Sequence, residues 1–275
     1  MGGVLIVNVA FIISIYKGDN LSHFIEAIAS IVNQTIGFQN INIYLGIDGE
    51  LSGVVEEYIR DNDKLFYKIL KNGTNKGLAA TLNRLIEELE QEEFIFRMDS
   101  DDICVKNRVS IVLDEFHNDE DLILIGSDMI EIDDNGLELG RKVMPETLES
   151  IIDYSIVRNP FNHSTVALRS IFFTRVGLYD VTLKKSQDYE LWSRALKLKV
   201  RAKNLSTPLV FFRVSHDFFD KRNSAVNYIN ELKISFDLMV FFRRFDKLPM
   251  ILGKLLIRLL PRFIGKIIYE KLREK

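Results

Sequence analysis

One cysteine, one tryptophan, four histidines and five prolines are all that the 275 residues hold of these types. The lone Cys104 excludes an intramolecular disulfide and any cysteine-rich metal centre, as befits a reducing compartment. So few prolines argue against long disordered linkers. An excess of one charge is missing too: Lys and Arg number 36 against 39 Asp and Glu, a formal net charge of -3. That balance lacks the basic surplus of a nucleic-acid-binding domain, and no nucleic-acid partner is expected. Long hydrophobic runs are also absent. The nearest, Val4 to Ile15, falls short of the roughly 20 residues of a membrane span. With no basic n-region and no small-residue cleavage site, it does not read as a signal sequence either. A buried parallel strand explains it better, because strands covered on both faces read as continuous apolar runs. Cytoplasmic localisation is the expectation.

What the chain does contain is an alternation. After the first apolar run a polar break, Lys17-Gly18-Asp19-Asn20, precedes an amphipathic stretch from Leu21 to Asn33 with helical spacing. Ile41 to Ile47 is rich in β-branched residues and ends in the turn signal Asp48-Gly49, and Val54 to Asn62 reads as a second helix. Phe66 to Leu70 is predicted as a third strand, Leu78 to Glu90 as a helix, and Glu93 to Met98 as a fourth strand. Strand-helix alternation implies parallel βαβ units, hence an α/β fold with a mostly parallel central sheet. Leu122 to Ile132, the turn Asp133 to Gly136 and Leu137 to Val143 add a hairpin, a small antiparallel element. Ile171 to Val176, Asp188 to Leu198 and Tyr228 to Phe242 are predicted helices. The simplest partition is one main domain, residues 1–242, in two parts that meet at about 102/103, followed by an appendage, 243–275.

In such sheets ligands bind beyond the carboxyl ends of the strands, which singles out Ser14 to Asp19, Asp48-Gly49 and Asp99 to Asp102. The last is the sharpest. Phe94-Ile95-Phe96-Arg97-Met98 delivers three carboxylates within four positions, and crowded carboxylates repel and raise one another's pKa. A hard divalent cation, Mn²⁺ or Mg²⁺, is the natural compensation, its shell completed by substrate phosphates. The competing reading is an acidic turn that caps the next helix. Asp48 has a similarly plain alternative as a turn residue, and Lys76-Gly77 as a helix-start loop.

Taken in order, Ser14-Ile15-Tyr16 with Asp19, Ile47-Asp48-Gly49, Asn75-Lys76-Gly77-Leu78-Ala79-Ala80-Thr81-Leu82-Asn83, Arg97-Met98-Asp99-Ser100-Asp101-Asp102 and Gln187-Asp188-Tyr189-Glu190-Leu191-Trp192 resemble the blocks of the inverting glycosyltransferases of family 2. The resemblance covers roughly Phe11 to Arg213 and is nearest to bacterial enzymes of capsule, exopolysaccharide or O-antigen synthesis. It implies the GT-A fold and a nucleoside-diphosphate-sugar donor bound through Ser14, Tyr16, Asp48, Lys76 and Gly77. Tyr16 offers a stacking face. Asp48 can accept from an imide N–H, which favours a uracil donor. The resemblance further implies Asp99 and Asp101 at the metal and diphosphate, with Asp102 in support. Asp188 is implied as the general base that deprotonates the acceptor hydroxyl. Here the family's usual Glu-Asp pair is Gln187-Asp188, which keeps the aspartate and removes a charge. His163 and Trp192 fall to the acceptor side, and His216 near the metal, one residue out of the commonest register.

Two rivals remain at this level. A sugar-1-phosphate nucleotidyltransferase would normally carry an N-terminal Gly-rich basic loop, which Ser14 to Asn20 does not supply. A catalytically inactive binding protein on the same fold is opposed by the intact Asp99, Asp101 and Asp188. From Leu248 to Ile268 apolar residues recur at helical intervals beside Lys254, Arg258, Arg262 and Lys266, with Gly253, Pro261 and Gly265 as interruptions. Two short basic interfacial helices at the inner face of the cell membrane, useful to an enzyme with a lipid-linked saccharide acceptor, are one reading. A helical pair packed on the catalytic domain is the other.

Overall fold

The computed structural model describes residues 8–214 and 225–259. Its strands are β1 (Val9–Ile15), β2 (Ile41–Asp48), β3 (Lys68–Asn72), β4 (Phe94–Arg97), β5 (Ile103–Cys104), β6 (Leu124–Ile132), β7 (Glu138–Lys142), β8 (Ala167–Arg169) and β9 (Ala202–Arg213). The helices are α1 (Leu21–Val32), α2 (Gly53–Asp61), α3 (Leu78–Glu87), α4 (Arg108–Asn118), α5 (Leu148–Ser155), α6 (Ile171–Val176), α7 (Gln187–Lys197), α8 (Ala225–Phe241) and α9 (Leu248–Leu259). One sheet runs β3-β2-β1-β4-β8-β6-β9-β5, with β7 hung on β6. The first four of that order are parallel, β8 is antiparallel to both β4 and β6, and β6 and β9 are parallel again.

The apolar run that opens the chain is the centre of this sheet. Val9, Phe11, Ile13 and Ile15 face a layer made by α1, α2 and α4, while Ala10 and Ile12 face a second layer made by α3, α6 and α7. Burial on both faces is why that strand shows no polar alternation. α1 starts where Asn20 accepts from Ser22 N at 2.8 Å, a cap that stabilises a helix by about 1 kcal/mol. Its buried stripe of Phe24, Ala27, Ile28 and Ile31 has the spacing of one helical face.

Four differences from the sequence expectations have local causes. The third strand begins at Lys68, not Phe66, because Phe66 closes a 3-10 turn and is buried with α1 and α2. It continues to Asn72, drawn along by pairing with Asp48. Helices α4 and α5 and strands β8 and β9 were not predicted. β9 carries Lys203, Asn204, Ser206 and Pro208, residues poor in strand propensity, and is held by its pairing with β6. Gly253 does not interrupt α9.

The C-terminal helices pack on the domain through Ile234, Leu238, Met239 and Ile251, against Ile156 and Tyr189. Lys254 turns inward to the Val157 carbonyl, and Lys247 and Arg244 both pair with Asp153. Lys254 is therefore not one of the outward cations of a membrane face. Phe241, Phe245, Leu248, Met250 and Leu252 are exposed. No helix among the described residues is long and apolar enough to cross a membrane. Arg262, Lys266 and His216 lie outside the described residues.

Candidate active site

The polar residues at the carboxyl ends of β1, β2 and β4 lie along one edge of the sheet, with β1 flanked by the other two. At the end of β2, Asp48 is 4% exposed. Its Oδ1 accepts from Lys76 N at 2.7 Å and Asn72 Nδ2 at 3.0 Å, and its Oδ2 from Gly77 N at 2.9 Å. Bonds from N–H donors to an ionised carboxylate are the strong ones, so Asp48 fixes the loop that starts α3. Gly49 allows the approach: its φ is +90°, and a Cβ there would stand 2.8 Å from Asn75 N. A cleft of about 230 Å³ opens between Lys17, Asp48, Glu50 and the Gly73-Thr74-Asn75 turn. Lys76, the residue after this turn, is exposed. Ser14 is half-buried and Tyr16 is 43% exposed, its ring folded over Gly18, where any Cβ would meet it at 2.5 Å.

Asp19 ties this first loop to the acidic one, its Oδ2 accepting from Tyr16 N at 3.0 Å and from Ser100 Oγ at 2.8 Å. In the acidic loop each carboxylate has a different fate. Asp99 pairs with the buried guanidinium of Arg97. Asp102 is fully buried, accepts from Arg213 N at 3.0 Å, and is pushed well above the carboxylate range by burial and by Asp99 and Asp101. It supports the loop and is no surface ligand. Asp101 is half-buried and pushed up to about 7 by burial first, then by the charges of Asp99 and Asp19.

Arg213, at the end of β9, was not singled out in the sequence. Its Nε donates to the Asp101 carbonyl at 3.1 Å, its Nη1 to Asp133 and Asp134 carbonyls, and its Nη2 to Glu26 at 2.6 Å. Only the pairing of distant strands brings it there. Among the described residues no group of three His, Cys, Asp or Glu side chains forms a ready-made metal centre. Asp99 and Asp101 fit a cation of the kind that keeps one or two carboxylates and takes the rest of its shell from phosphates, because it would relieve the repulsion that Asp101 feels.

These shifts have a consequence for stability. Unfolded carboxyls titrate near pH 4 (about 3.9), whereas in the folded state Asp101 is pushed up to about 7 and Asp102 is also raised well above the unfolded value, chiefly by burial. The folded chain therefore holds these protons more tightly, a contribution complete below the unfolded value and lost as pH rises through about 7. His163, held neutral, acts in the opposite sense, one group against two. The thermal midpoint of metal-free protein is expected to fall between about pH 6 and pH 8, and Mn²⁺ to flatten the fall. A midpoint that rises over this interval contradicts the assignment.

Asp188 stands in the first turn of α7, half-buried, after Ser186 in the left-handed conformation at φ 63°. A non-glycine residue there stores about 1 kcal/mol of strain. Asn159 Nδ2 donates to Asp188 Oδ2 at 2.6 Å. His163 bonds Tyr179 through Nε2 at 2.9 Å and stays neutral, its pKa held well below the ordinary value by burial and then by the Arg97 charge. Asn83 of α3 clamps the main chain of Tyr179 from both sides, at 2.8 and 2.9 Å. The Tyr179 hydroxyl, pushed up mainly by burial, feels Arg97, Asp188 and Asp99. Tyr179 thus lies within electrostatic reach of both Asp99 of the acidic loop and Asp188 of α7.

Trp192 requires a correction. It is wholly buried, with ring centroids 5.7 Å from Phe161, 6.0 Å from Phe172 and 6.2 Å from His163. It lies four positions after Asp188, and the face of α7 that carries Leu191, Trp192, Ala195 and Leu196 is the face that packs on the sheet. Its ring has no surface left for an acceptor.

The description Glycosyl transferase family 2 matches residues 11–181. A UDP-Gal:alpha-D-GlcNAc-diphosphoundecaprenol beta-1,3-galactosyltransferase of Escherichia coli is 28% identical over 270 residues, which span 94% of each chain. The amylovoran biosynthesis glycosyltransferase AmsE of Erwinia amylovora is 28% identical over 96% of this chain and 98% of its own. Among solved structures, S. aureus TarS 1–349 with UDP-GlcNAc superposes with a TM-score of 0.63 at 16% identity, over 97% of this chain and 85% of that one. The longer TarS structure matches at 0.62 and 15% identity, over 86% of this chain and 43% of its own length. The arrangement of the sheet is the GT-A fold.

Proposed function

This chain belongs to glycosyl transferase family 2, and from that premise we propose that it is an inverting enzyme moving a sugar from UDP to a hydroxyl of a lipid-linked saccharide in bacterial surface polysaccharide synthesis. One observation carries the reading: Asp188 with one oxygen fixed by Asn159, and the acidic loop with Asp99, are both felt by the single buried hydroxyl of Tyr179. Asp188 takes the proton of the acceptor hydroxyl, whose oxygen attacks the anomeric carbon from the face opposite the diphosphate. Ser14, Tyr16 and Asp48 hold the nucleoside, with Lys76 and Gly77 beside the diphosphate. Asp99 and Asp101, joined by His216, would hold Mn²⁺ or Mg²⁺, which when bound neutralises charge on the leaving diphosphate. His163 stays neutral and lines the acceptor side.

The uracil donor and lipid-linked acceptor are supported by the activity for which the Escherichia coli relative is named and by the UDP-GlcNAc complex of TarS. For such an acceptor the exposed apolar residues about α9 supply a peripheral membrane contact at the cytoplasmic face. The nucleotidyltransferase alternative has no support among these relatives.

Purified protein is expected to release UDP from UDP-galactose or UDP-N-acetylglucosamine when given a GlcNAc-diphospholipid acceptor and Mn²⁺, and to stop on addition of EDTA. Pyrophosphate in place of UDP would establish nucleotidyl transfer. Turnover indifferent to EDTA would remove the cation from the scheme.

A further inference from the structure

The end of α5 and the segment that follows it touch α7 at four successive points. The Ser155 carbonyl accepts from the Tyr189 hydroxyl, which also lies 3.3 Å from Ser235 Oγ. Asn159 reaches Asp188 Oδ2 at 2.6 Å. The Phe161 ring stacks edge-on against Trp192, and His163 continues the contact to the same indole and to Tyr179. Residues 155–163 thus hold Tyr189 and Trp192, which follow Asp188 on α7, and one of the oxygens of Asp188 itself.

The amide of Asn159 has a fixed sense. Its Oδ1 accepts from Phe161 N at 3.3 Å, so Nδ2 is the end turned to the carboxylate. Among the described residues no hydrogen bond engages Asp188 Oδ1. One oxygen is anchored and the other is open. Proton abstraction has strict directional demands, and a carboxylate free to rotate presents its lone pairs wrongly for much of the time.

We propose that Asn159 is a positioning residue for the sugar-transfer reaction: it fixes Asp188 through Oδ2 and leaves Oδ1 as the oxygen that takes the acceptor proton. This rests on Asp188 being the base, as proposed above. A hydrogen bond donated to an ionised carboxylate favours the charged form, so its loss moves the acidic limb of the rate profile to higher pH. Other charged and titratable groups near Asp188 are Lys184, Lys185, Glu190 and Arg194 on its own segment, with Glu190 and Arg194 paired to each other. Tyr179 faces it from the loop after α6, with Arg97 and Asp99 beyond. None of them replaces the Asn159 donor.

The test uses the full chain with the active UDP-sugar and GlcNAc-diphospholipid pair, and two variants. Asn159→Ala is expected to lower kcat about 10- to 100-fold, the range of a hydrogen bond to a charged group, with UDP affinity unchanged. Asn159→Asp is isosteric and keeps the acceptor for Phe161 N, so it guards against simple misfolding. It sets two carboxylates against each other, and its acidic limb is expected to move up by one pH unit or more, roughly. An Asn159→Asp enzyme whose limb stays in place overturns the positioning role, whatever happens to its rate. The two levels separate cleanly: an active Asp188→Asn enzyme sinks the base assignment, whereas an inactive one beside an unmoved Asn159→Asp limb sinks the role of Asn159 alone.

Discussion

Asp188→Asn is expected to lower kcat by about 10²- to 10⁴-fold, the usual worth of a positioned general base, while UDP binds as before. The asparagine keeps the shape and can still meet Asn159 after an amide flip, but it cannot take a proton. Asp188 is half-buried and accepts one bond, so removing its charge leaves no buried partner stranded and the fold should survive. The loss then belongs to the chemical step. Isothermal titration with UDP and Mn²⁺, alongside turnover, separates the two: equal affinity with collapsed kcat supports the base, and wild-type turnover removes it. Loss of UDP binding in this variant would move Asp188 from the acceptor side to the donor side.

Trp192→Ala is expected to cost about 3–5 kcal/mol, the range for emptying a large aromatic from a core. In a chain of this size each kcal/mol lowers the thermal midpoint by about 2–4 °C, so a fall of roughly 6–20 °C follows. Trp192→Phe should behave quite differently. The indole Nε1 is buried with no hydrogen-bond partner, and eliminating an orphaned donor relieves a penalty of about 1–3 kcal/mol that offsets part of the lost packing. The phenylalanine variant is therefore expected to stay folded with an unchanged acceptor KM. A large rise in acceptor KM at unchanged midpoint would return Trp192 to the acceptor site.

The ends of the strands were the legible part of the candidate site. Asp48, Asp99 and Asp101 follow apolar runs directly, and a carboxylate at such a place is conspicuous against its own neighbours. Arg213 and Asn159 were not legible in this way. Arg213 ends a strand full of polar residues, and it reaches the Asp101 carbonyl only because β9 pairs with β5 and β6. Asn159 sits 29 residues from Asp188 in a loop without periodicity. Its value as a donor exists only once α5 and α7 are packed. Trp192 shows the opposite error: its place in a motif said nothing about which face of α7 it would occupy, and the stripe it shares with Leu191, Ala195 and Leu196 decided that.

By itself the sequence determined the alternation of strand and helix, the two-faced burial of β1 and the concentration of acidic groups at one edge, since these follow from local periodicity and turn chemistry. Tertiary structure alone decided which carboxylate is fully buried, which stays half-open beside a guanidinium, and which of the two Asp188 oxygens is left without a hydrogen bond among the described residues. Protonation and aim depend on what surrounds a side chain in space, and those neighbours come from strands and loops that the order of residues does not place together.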